Sequence, residues 1–350
     1  MTSAPARLGG SRRPPLPGGV AARVLRSAAE LEALAPAWAA LWARCPGASP
    51  FQAPEWLLPW WRQFGEGTPF AVALHARGDD GASRLVGLAP LYVYAGDGAR
   101  RLLPIGIGIS DHLDALLDPT LPPDTADALL AALIPHAAEF SRVELPLLPP
   151  DSPLRRARAP AGWRDATADD EPHLVLELPA PRRPIWKSAR YARRQLEREG
   201  TVTLATADAG SSAAEVLDAL EGLLALHAAR WRARGEAGVL DDPAVQRFHR
   251  DAAPGLARRG LLRLHVLRVA DRTAAAGLVL RTPRWAASYI TGFAPALERA
   301  SPGTVLLGHA IAAAEGDGAA EFDFLRGLEP YKRRWGAVER PTARRVLVPG

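Results

Sequence analysis

The sequence predicts a mixed α/β (α+β) fold built as two tandem halves, each a mixed, mostly antiparallel sheet flanked by helices. Three observations carry this. A rhythm of strand, hairpin, strand, glycine-rich break, helix and strand occupies residues 70–147 and returns over 262–325. Short apolar runs alternate with period two, whereas longer stretches repeat every three to four residues. At 350 residues, with 48% hydrophobic and 23% charged side chains, the chain is long enough for two cores of ordinary size.

In order, Val24–Arg26 reads as a short strand, and Ser27 with Glu30 forms a capping box. The helix it opens has Leu31, Leu34, Trp38, Leu41 and Trp42 on one face, and Pro46-Gly47 ends it. Pro54–Phe64 is a second helix, short or kinked because of Pro59. Its Trp56, Trp60 and Trp61 fit core packing first and stacking on a sugar or nucleobase second. Phe70–Ala76 and Leu85–Tyr94 are strands turned by Gly78-Asp79-Asp80-Gly81, followed by Leu102–Ile105. Past the break at Gly106-Ile107-Gly108 come strand Leu113–Leu117, a helix from about Asp124 to Phe140, and strand Val143–Leu147. Asp165–Asp170 reads as a linker, which places a boundary near residue 170. The expected units are a disordered tail over 1–20, a first domain over 21–170 and a second over 171–350.

In the second half, a helix from Pro184 has a thin apolar face (Ile185, Ala189, Ala192, Leu196) and a basic stripe (Lys187, Arg190, Arg194, Arg198). The stripe is a solvated face or an anion contact. A helix over Glu215–Arg234 buries Val216, Leu220, Leu223, His227 and Trp231. The next, Pro243–Arg259, turns Val245, Phe248 and Leu256 inward and leaves His249 exposed. Strands Leu262–Val269, Ala274–Arg281 and Trp285–Gly292 then feed a helix at Gly303, and Glu321–Leu325 follows as a strand.

The formal charge of +5 is spread over 43 basic and 38 acidic residues, which is too diffuse for a DNA-binding protein. The lone Cys45 excludes an intramolecular disulfide, and no Cys/His spacing points to a metal. The first twenty residues hold no apolar run of a secretory signal and no stretch is long enough for a membrane span, so a cytoplasmic protein is expected.

Pro302-Gly303 starts a helix whose first free N–H groups face the preceding turn, a ready place for a phosphate. Phe322 and Phe324 alternate with Asp323 on a half-buried strand, and past Gly327 the chain delivers Tyr331, Lys332, Arg333 and Trp335 to the same sheet end. Asp111, His112 and Asp114 follow a glycine-rich break and mark a ligand groove at a strand end, or else a loop held by local Asp hydrogen bonds.

The run Ser301–Leu306, then Glu321–Gly327 and Glu329–Ala337, resembles the CelD-like branch of the GNAT acyltransferase superfamily, bacterial proteins of the cellulose and envelope-polysaccharide type. These are built, like FemAB proteins, from two GNAT-like halves. FQAPEWLLPWWRQF at 51–64, LVGLAPL at 85–91, SDHLDALL at 110–117 and HAARW at 227–231 fall in the family's order. The resemblance implies an N-acyltransferase using acetyl-CoA or another acyl-CoA as co-substrate, without a metal. It assigns the pyrophosphate to Gly303, Thr304 and Val305, with Tyr331 as the acid. Arg326 and Lys332 would neutralise phosphates or a carboxylate, and Asp323, Glu329 and His227 are the candidate bases. His227, Arg230 and Trp231 match the family's His-x-x-Arg-Trp pattern beside the acceptor. That acceptor, an amine or hydroxyl on a small molecule or glycan, would belong to envelope or exopolysaccharide metabolism, with its synthesis machinery as a partner. The turn departs from the family pattern Arg/Gln-x-x-Gly-x-Gly/Ala, since Arg299-Ala300-Ser301-Pro302-Gly303-Thr304 keeps one glycine and adds a proline. An aminoacyl-tRNA donor with peptidoglycan-precursor acceptors, as in FemAB-like proteins, and a non-catalytic polysaccharide-synthesis accessory therefore stay open.

Overall fold

The computed structural model describes residues 20–77, 81–96, 98–232, 235 and 238–350. Residues 1–19 of the expected N-terminal tail, most of the 78–81 turn and the end of the helix expected to reach Arg234 lie outside them. The first half runs β1 (Ala21–Leu25), α1 (Ala28–Arg44), α2 (Pro54–Phe64), β2 (Thr68–Pro69), β3 (Ala71–Arg77), β4 (Ser83–Ala89), β5 (Leu91–Tyr94), β6 (Arg101–Pro104), β7 (Leu116–Leu117), α3 (Ala126–Ala131), β8 (Arg142–Leu148) and α4 (Pro153–Arg156). The second runs β9 (Arg164–Glu177), α5 (Pro184–Glu199), β10 (Val202–Ala207), α6 (Ala213–Arg232), α7 (Pro243–Arg258), β11 (Leu262–Val269), β12 (Arg272–Arg281), β13 (Trp285–Phe293), α8 (Pro302–Gly316), β14 (Glu321–Arg326), α9 (Pro330–Trp335) and β15 (Val338–Val348). The class is mixed α/β, as the sequence predicts.

The strands form one eleven-stranded sheet, ordered β10-β11-β12-β13-β14-β9-β15-β8-β6-β5-β2, and a four-stranded sheet, β1-β3-β4-β7. Two parallel pairs, β13 with β14 and β6 with β8, stand in the large sheet, and every other pairing there is antiparallel. Helices connect each pair, as parallel neighbours require. In the predicted rhythm β6 therefore corresponds to β13 and β8 to β14. Residues 106–115 are a loop, and only Leu116–Leu117 pairs, with β4 of the small sheet. The two halves share a backbone detail: Leu147 (φ 55°) and Leu325 (φ 58°), near the ends of β8 and β14, are both left-handed. Each N–H donates to an aspartate, Asp170 Oδ2 at 3.0 Å and Asp323 Oδ1 at 2.6 Å.

The expected linker at Asp165–Asp170 is the first part of β9, which pairs with β15 along most of its length. β15 is the other unanticipated strand. Pro341 sits at its register irregularity between Arg340 and Thr342, where a ladder tolerates a residue without an N–H. The position near residue 170 thus falls inside a strand. The expected 124–140 helix is a single α-helical turn and a half, α3, flanked by 3-10 turns over Pro123–Thr125 and Ile134–Glu139, with Pro135 interrupting the ladder.

α2 and α7 pack together across the two halves. Trp56 is wholly buried there, with its ring 4.8 Å from Phe248, 5.2 Å from Phe51 and 5.2 Å from Tyr289, centroid to centroid. Its indole N–H donates to Ser110 Oγ at 2.8 Å. Trp60 is buried as well, so packing is the role of these two tryptophans. Trp56→Ala is expected to lower the unfolding free energy by about 3–5 kcal/mol in denaturant titration.

His249, expected at the surface, is buried beside Trp56 with its pKa pushed down to about 3 by burial. His265, likewise buried, is pushed down to about 3 by burial first and then by the neighbouring charges of His309 and Arg263. Both stay neutral in the folded chain at pH values where the unfolded chain protonates them. The unfolded state then binds more protons, so stability is full above about pH 6.5 and falls as pH drops toward 3, by roughly 1 kcal/mol per pH unit for each histidine. His265→Gln is expected to flatten this slope in acid unfolding curves.

Candidate active site

Ser301, left-handed at φ 53°, ends the 3-10 turn Pro295–Ala300 and caps α8. Its carbonyl accepts from Thr304 N–H at 3.0 Å and Val305 N–H at 3.4 Å. Pro302 has no N–H. Among the described residues Gly303 N–H alone in this first turn has no hydrogen-bond partner, so the expected three-residue phosphate turn contracts to one amide at the helix N-terminus. A Cβ on Gly303 would meet only Phe293 Cδ1, at 3.5 Å, so packing does not demand the glycine. Val305 is buried away from the opening. The turn borders a cleft of about 300 Å³ whose walls include Ile185, Arg230, Phe293, Thr304, Tyr331 and Arg334.

A wider cleft of about 520 Å³ opens where the β13–β14 pairing stops. Their parallel register runs only from Trp285 opposite Glu321 to Ala287 opposite Asp323. Asp111, His227, Trp231, Arg326, Glu329 and Lys332 are among the residues facing it. The two clefts share Arg230, Ser288, Thr291 and Tyr331. Tyr331, on α9, is 46% exposed, and burial around the hydroxyl together with the Glu329 charge pushes its pKa up to about 12. It is a neutral proton donor at physiological pH.

The remaining predicted residues are placed unevenly. His227 Nε2 accepts from Trp231 Nε1–H at 2.9 Å, which leaves the proton on Nδ1, and burial lowers its pKa. With its lone pair engaged, His227 is poorly set to act as a base. Asp323 is fully buried, and its Oδ2 faces His112 Nε2 at 3.0 Å and His173 Nδ1 at 3.2 Å. Burial opposes its charge, but these hydrogen bonds and the imidazole charges outweigh it and hold the carboxyl well below the usual range. Burial likewise opposes charge on His112, and the bond and charge of Asp323 outweigh it to raise its pKa. Asp323 does not open on either cleft, so the expected base is a joint between elements.

Lys332 is buried with Nζ donating to the carbonyls of Arg326 and Gly327, at 2.5 and 2.9 Å, and to Glu329 Oε2 at 2.8 Å. All three N–H bonds are spent on the turn after β14, and its charge neutralises Glu329 rather than a distant phosphate. Gly327 makes that turn possible: its φ is 91°, and a Cβ would lie 2.6 Å from Glu329 Oε2. Arg326 pairs with Asp111, linking β14 to the 106–115 loop. Asp114 turns away from both clefts into one of about 240 Å³ that His112, Gln52 and Ser152 also line. Burial raises its pKa to about 7. The expected acceptor trio is therefore divided. The sequence reading missed His173 and Tyr289. Tyr289 faces the wide cleft and its hydroxyl donates to Ile109 O at 2.7 Å. Its position on an alternating strand was the available signal.

Residues 185–333 match the family model described as an acetyltransferase (GNAT) domain. The second half of the chain carries a GNAT-type acyltransferase domain. The comparison with curated proteins finds no match. Among solved structures, FemX is similar over 93% of this chain and 96% of its own, at 10% identity and a TM-score of 0.58. The C-terminal domain of a putative lysylphosphatidylglycerol synthetase from Agrobacterium fabrum is similar over 91% and 92%, at 13% identity and a TM-score of 0.55. L-PGS from Bacillus licheniformis is similar over 92% and 91%, at 12% identity and a TM-score of 0.53. At these identities the likeness is one of fold, and it extends over nearly the whole chain. Among the described residues no helix is long and apolar enough to cross a membrane.

Proposed function

We propose that this chain transfers an acyl group from acetyl-CoA or another acyl-CoA, held in the narrower cleft, to an amine or hydroxyl in the wider one. The observation that carries the reading is the shared wall: Tyr331 and Arg230 border both clefts, so a thioester carbonyl at their junction meets an acceptor from the other side. The Gly303 amide and the α8 N-terminus hold the pyrophosphate, with Arg230 and Arg334 as counter-charges. The acceptor's lone pair attacks the carbonyl carbon and its proton leaves toward Glu329. The C–S bond then breaks, and Tyr331 protonates the departing thiolate. His227, Trp231 and the Asp111–Arg326 pair shape the acceptor side. The resemblance of the closing segment extends the reading to a cytoplasmic enzyme with an acceptor from envelope or exopolysaccharide metabolism, working beside the machinery that builds it. The matching left-handed Leu147 and Leu325 support two tandem halves, 21–170 and 171–350, with the donor site in the second.

A thermal-shift titration with acetyl-CoA and desulfo-CoA tests the donor. A saturable rise in apparent stability that is absent in Gly303→Asp is expected, because a ligand that prefers the folded state must stabilise it. No shift with either compound contradicts the reading.

One observation favours a second reading, an aminoacyl-tRNA donor. The outer face of α5 exposes Lys187, Arg190, Arg194 and Arg198, while Ile185 on the same helix lines the donor cleft. The likeness to FemX and to lysylphosphatidylglycerol synthetases agrees with it. Binding of tRNA would then weaken steeply with salt.

A further inference from the structure

We propose that His112, His173 and Asp323 form a binding site for one divalent transition-metal ion, with Zn²⁺ as the first ion to test. Three separate elements deliver the donors: the 106–115 loop, β9 and β14. Asp323 Oδ2 lies 3.0 Å from His112 Nε2 and 3.2 Å from His173 Nδ1, and the three candidate ligand atoms all lie within 4.8 Å of one another. Zinc–ligand bonds of about 2.0–2.2 Å at tetrahedral angles separate neighbouring ligand atoms by roughly 3.4 Å. The two spacings from Asp323 Oδ2 are a few tenths of an ångström tighter, and the two imidazole nitrogens, which lie within 4.8 Å of each other, close on an ion by side-chain rotation. Two imidazole nitrogens and one carboxylate oxygen suit zinc and its transition-metal neighbours rather than magnesium or calcium.

The surroundings hold the donors in place. Asp323 Oδ1 accepts from Leu325 N–H at 2.6 Å, which turns Oδ2 toward the imidazoles. His173 Nε2 is buried without a partner among the described residues, so the only hydrogen bond holding this ring is the one at the cluster. The His112 ring stacks on Phe51 at 6.2 Å and meets Trp285 edge-on at 5.6 Å. Its backbone is left-handed at φ 53°, an uncommon conformation for a residue with a side chain. Asp111 and Glu321 also stand near this ring, paired with Arg326 and Arg340.

The site has one approach. Asp323 and His173 side chains are closed to solvent, whereas the His112 side chain is 17% exposed and lines the cleft of about 240 Å³. An ion enters past His112, and its remaining coordination faces that cleft. Three protein ligands with an open position are the pattern of a site that takes water or a small oxyanion as a fourth ligand. The same contacts can be satisfied by protons alone, with the carboxylate accepting two imidazole N–H bonds, and the experiment separates the two cases.

Full-length protein stripped with a chelator and dialysed is titrated with Co²⁺, then with Zn²⁺ in competition, with Mg²⁺ as a control. The expected result is one equivalent of Co²⁺ with visible absorption bands, displaced by Zn²⁺, a rise in melting temperature and no response to Mg²⁺. His173→Gln and His112→Gln should each weaken Co²⁺ binding at least tenfold while circular dichroism is unchanged. If His173→Gln does not fold, His112→Gln, at the exposed edge, decides. Absence of stoichiometric binding by the wild-type chain overturns the proposal, as does binding of equal strength by His112→Gln.

Discussion

Tyr331→Phe is expected to lower kcat by about 10²–10⁴-fold while leaving acyl-CoA binding and the melting temperature close to wild type. The hydroxyl is the neutral acid at the junction of the two clefts, and its loss leaves the departing thiolate without a proton. The ring, packed edge-on to Phe324 at a centroid distance of 6.4 Å, is retained. Tyr331 is a half-exposed residue and phenylalanine keeps its ring, so the change should appear in kcat rather than in folding. Glu329→Gln tests the other proton and is expected to have the smaller effect, because solvent can also accept a proton at this exposed side chain. Parallel thiol-release assays on the three proteins give the comparison, and unchanged kcat in Tyr331→Phe contradicts the acid role.

Asp323→Ala is expected to lower the unfolding free energy by about 3–5 kcal/mol, the range for removing one partner from a buried charged network. The carboxylate is fully buried and accepts from two histidines and a backbone N–H, so deletion leaves His112, His173 and Leu325 N–H without their acceptor. It also removes one of the two ties, among the described residues, between the 106–115 loop and β14, leaving the Asp111–Arg326 pair as the other. A shift in the denaturant midpoint at unchanged m-value is the readout. A loss below about 1 kcal/mol would mean that the cluster is not a joint of the fold.

The longer helices were legible because their apolar residues keep helical spacing. Ile185, Ala189, Ala192 and Leu196 are the buried face of α5, and Val245, Phe248 and Leu256 that of α7. The Ser27 cap was legible for the same local reason: its Oγ accepts from Glu30 N–H at 3.2 Å. β9 and β15 were not. The first part of β9 lies beyond the reach of β14 and is exposed, so it reads as a polar linker, and Pro341 disguises β15. These two strands join the sheet of one half to the other, so the single large sheet was hidden with them.

At the site, sequence proximity misled where backbone geometry turns the chain. Across the left-handed His112, Asp111 faces Arg326 while Asp114 faces the opposite cleft. The His112–His173–Asp323 cluster could not be read from spacing, because its histidines stand 211 and 150 residues from the aspartate. Only pairing of β9 with β14 brings His173 to it. Local patterns did single out Gly303 and Tyr331, because a helix start and the end of an element are local features, whereas Arg230 came from the family resemblance; all three line one cleft.

The most direct test of the account is a crystal structure of the protein with desulfo-CoA or a non-hydrolysable acyl-CoA bound. The pyrophosphate is expected at Gly303 N–H, and the acyl end at the junction lined by Arg230, Ser288, Thr291 and Tyr331, within hydrogen-bonding reach of the tyrosine hydroxyl. A cofactor seated elsewhere, or an acyl end far from Tyr331, would contradict it.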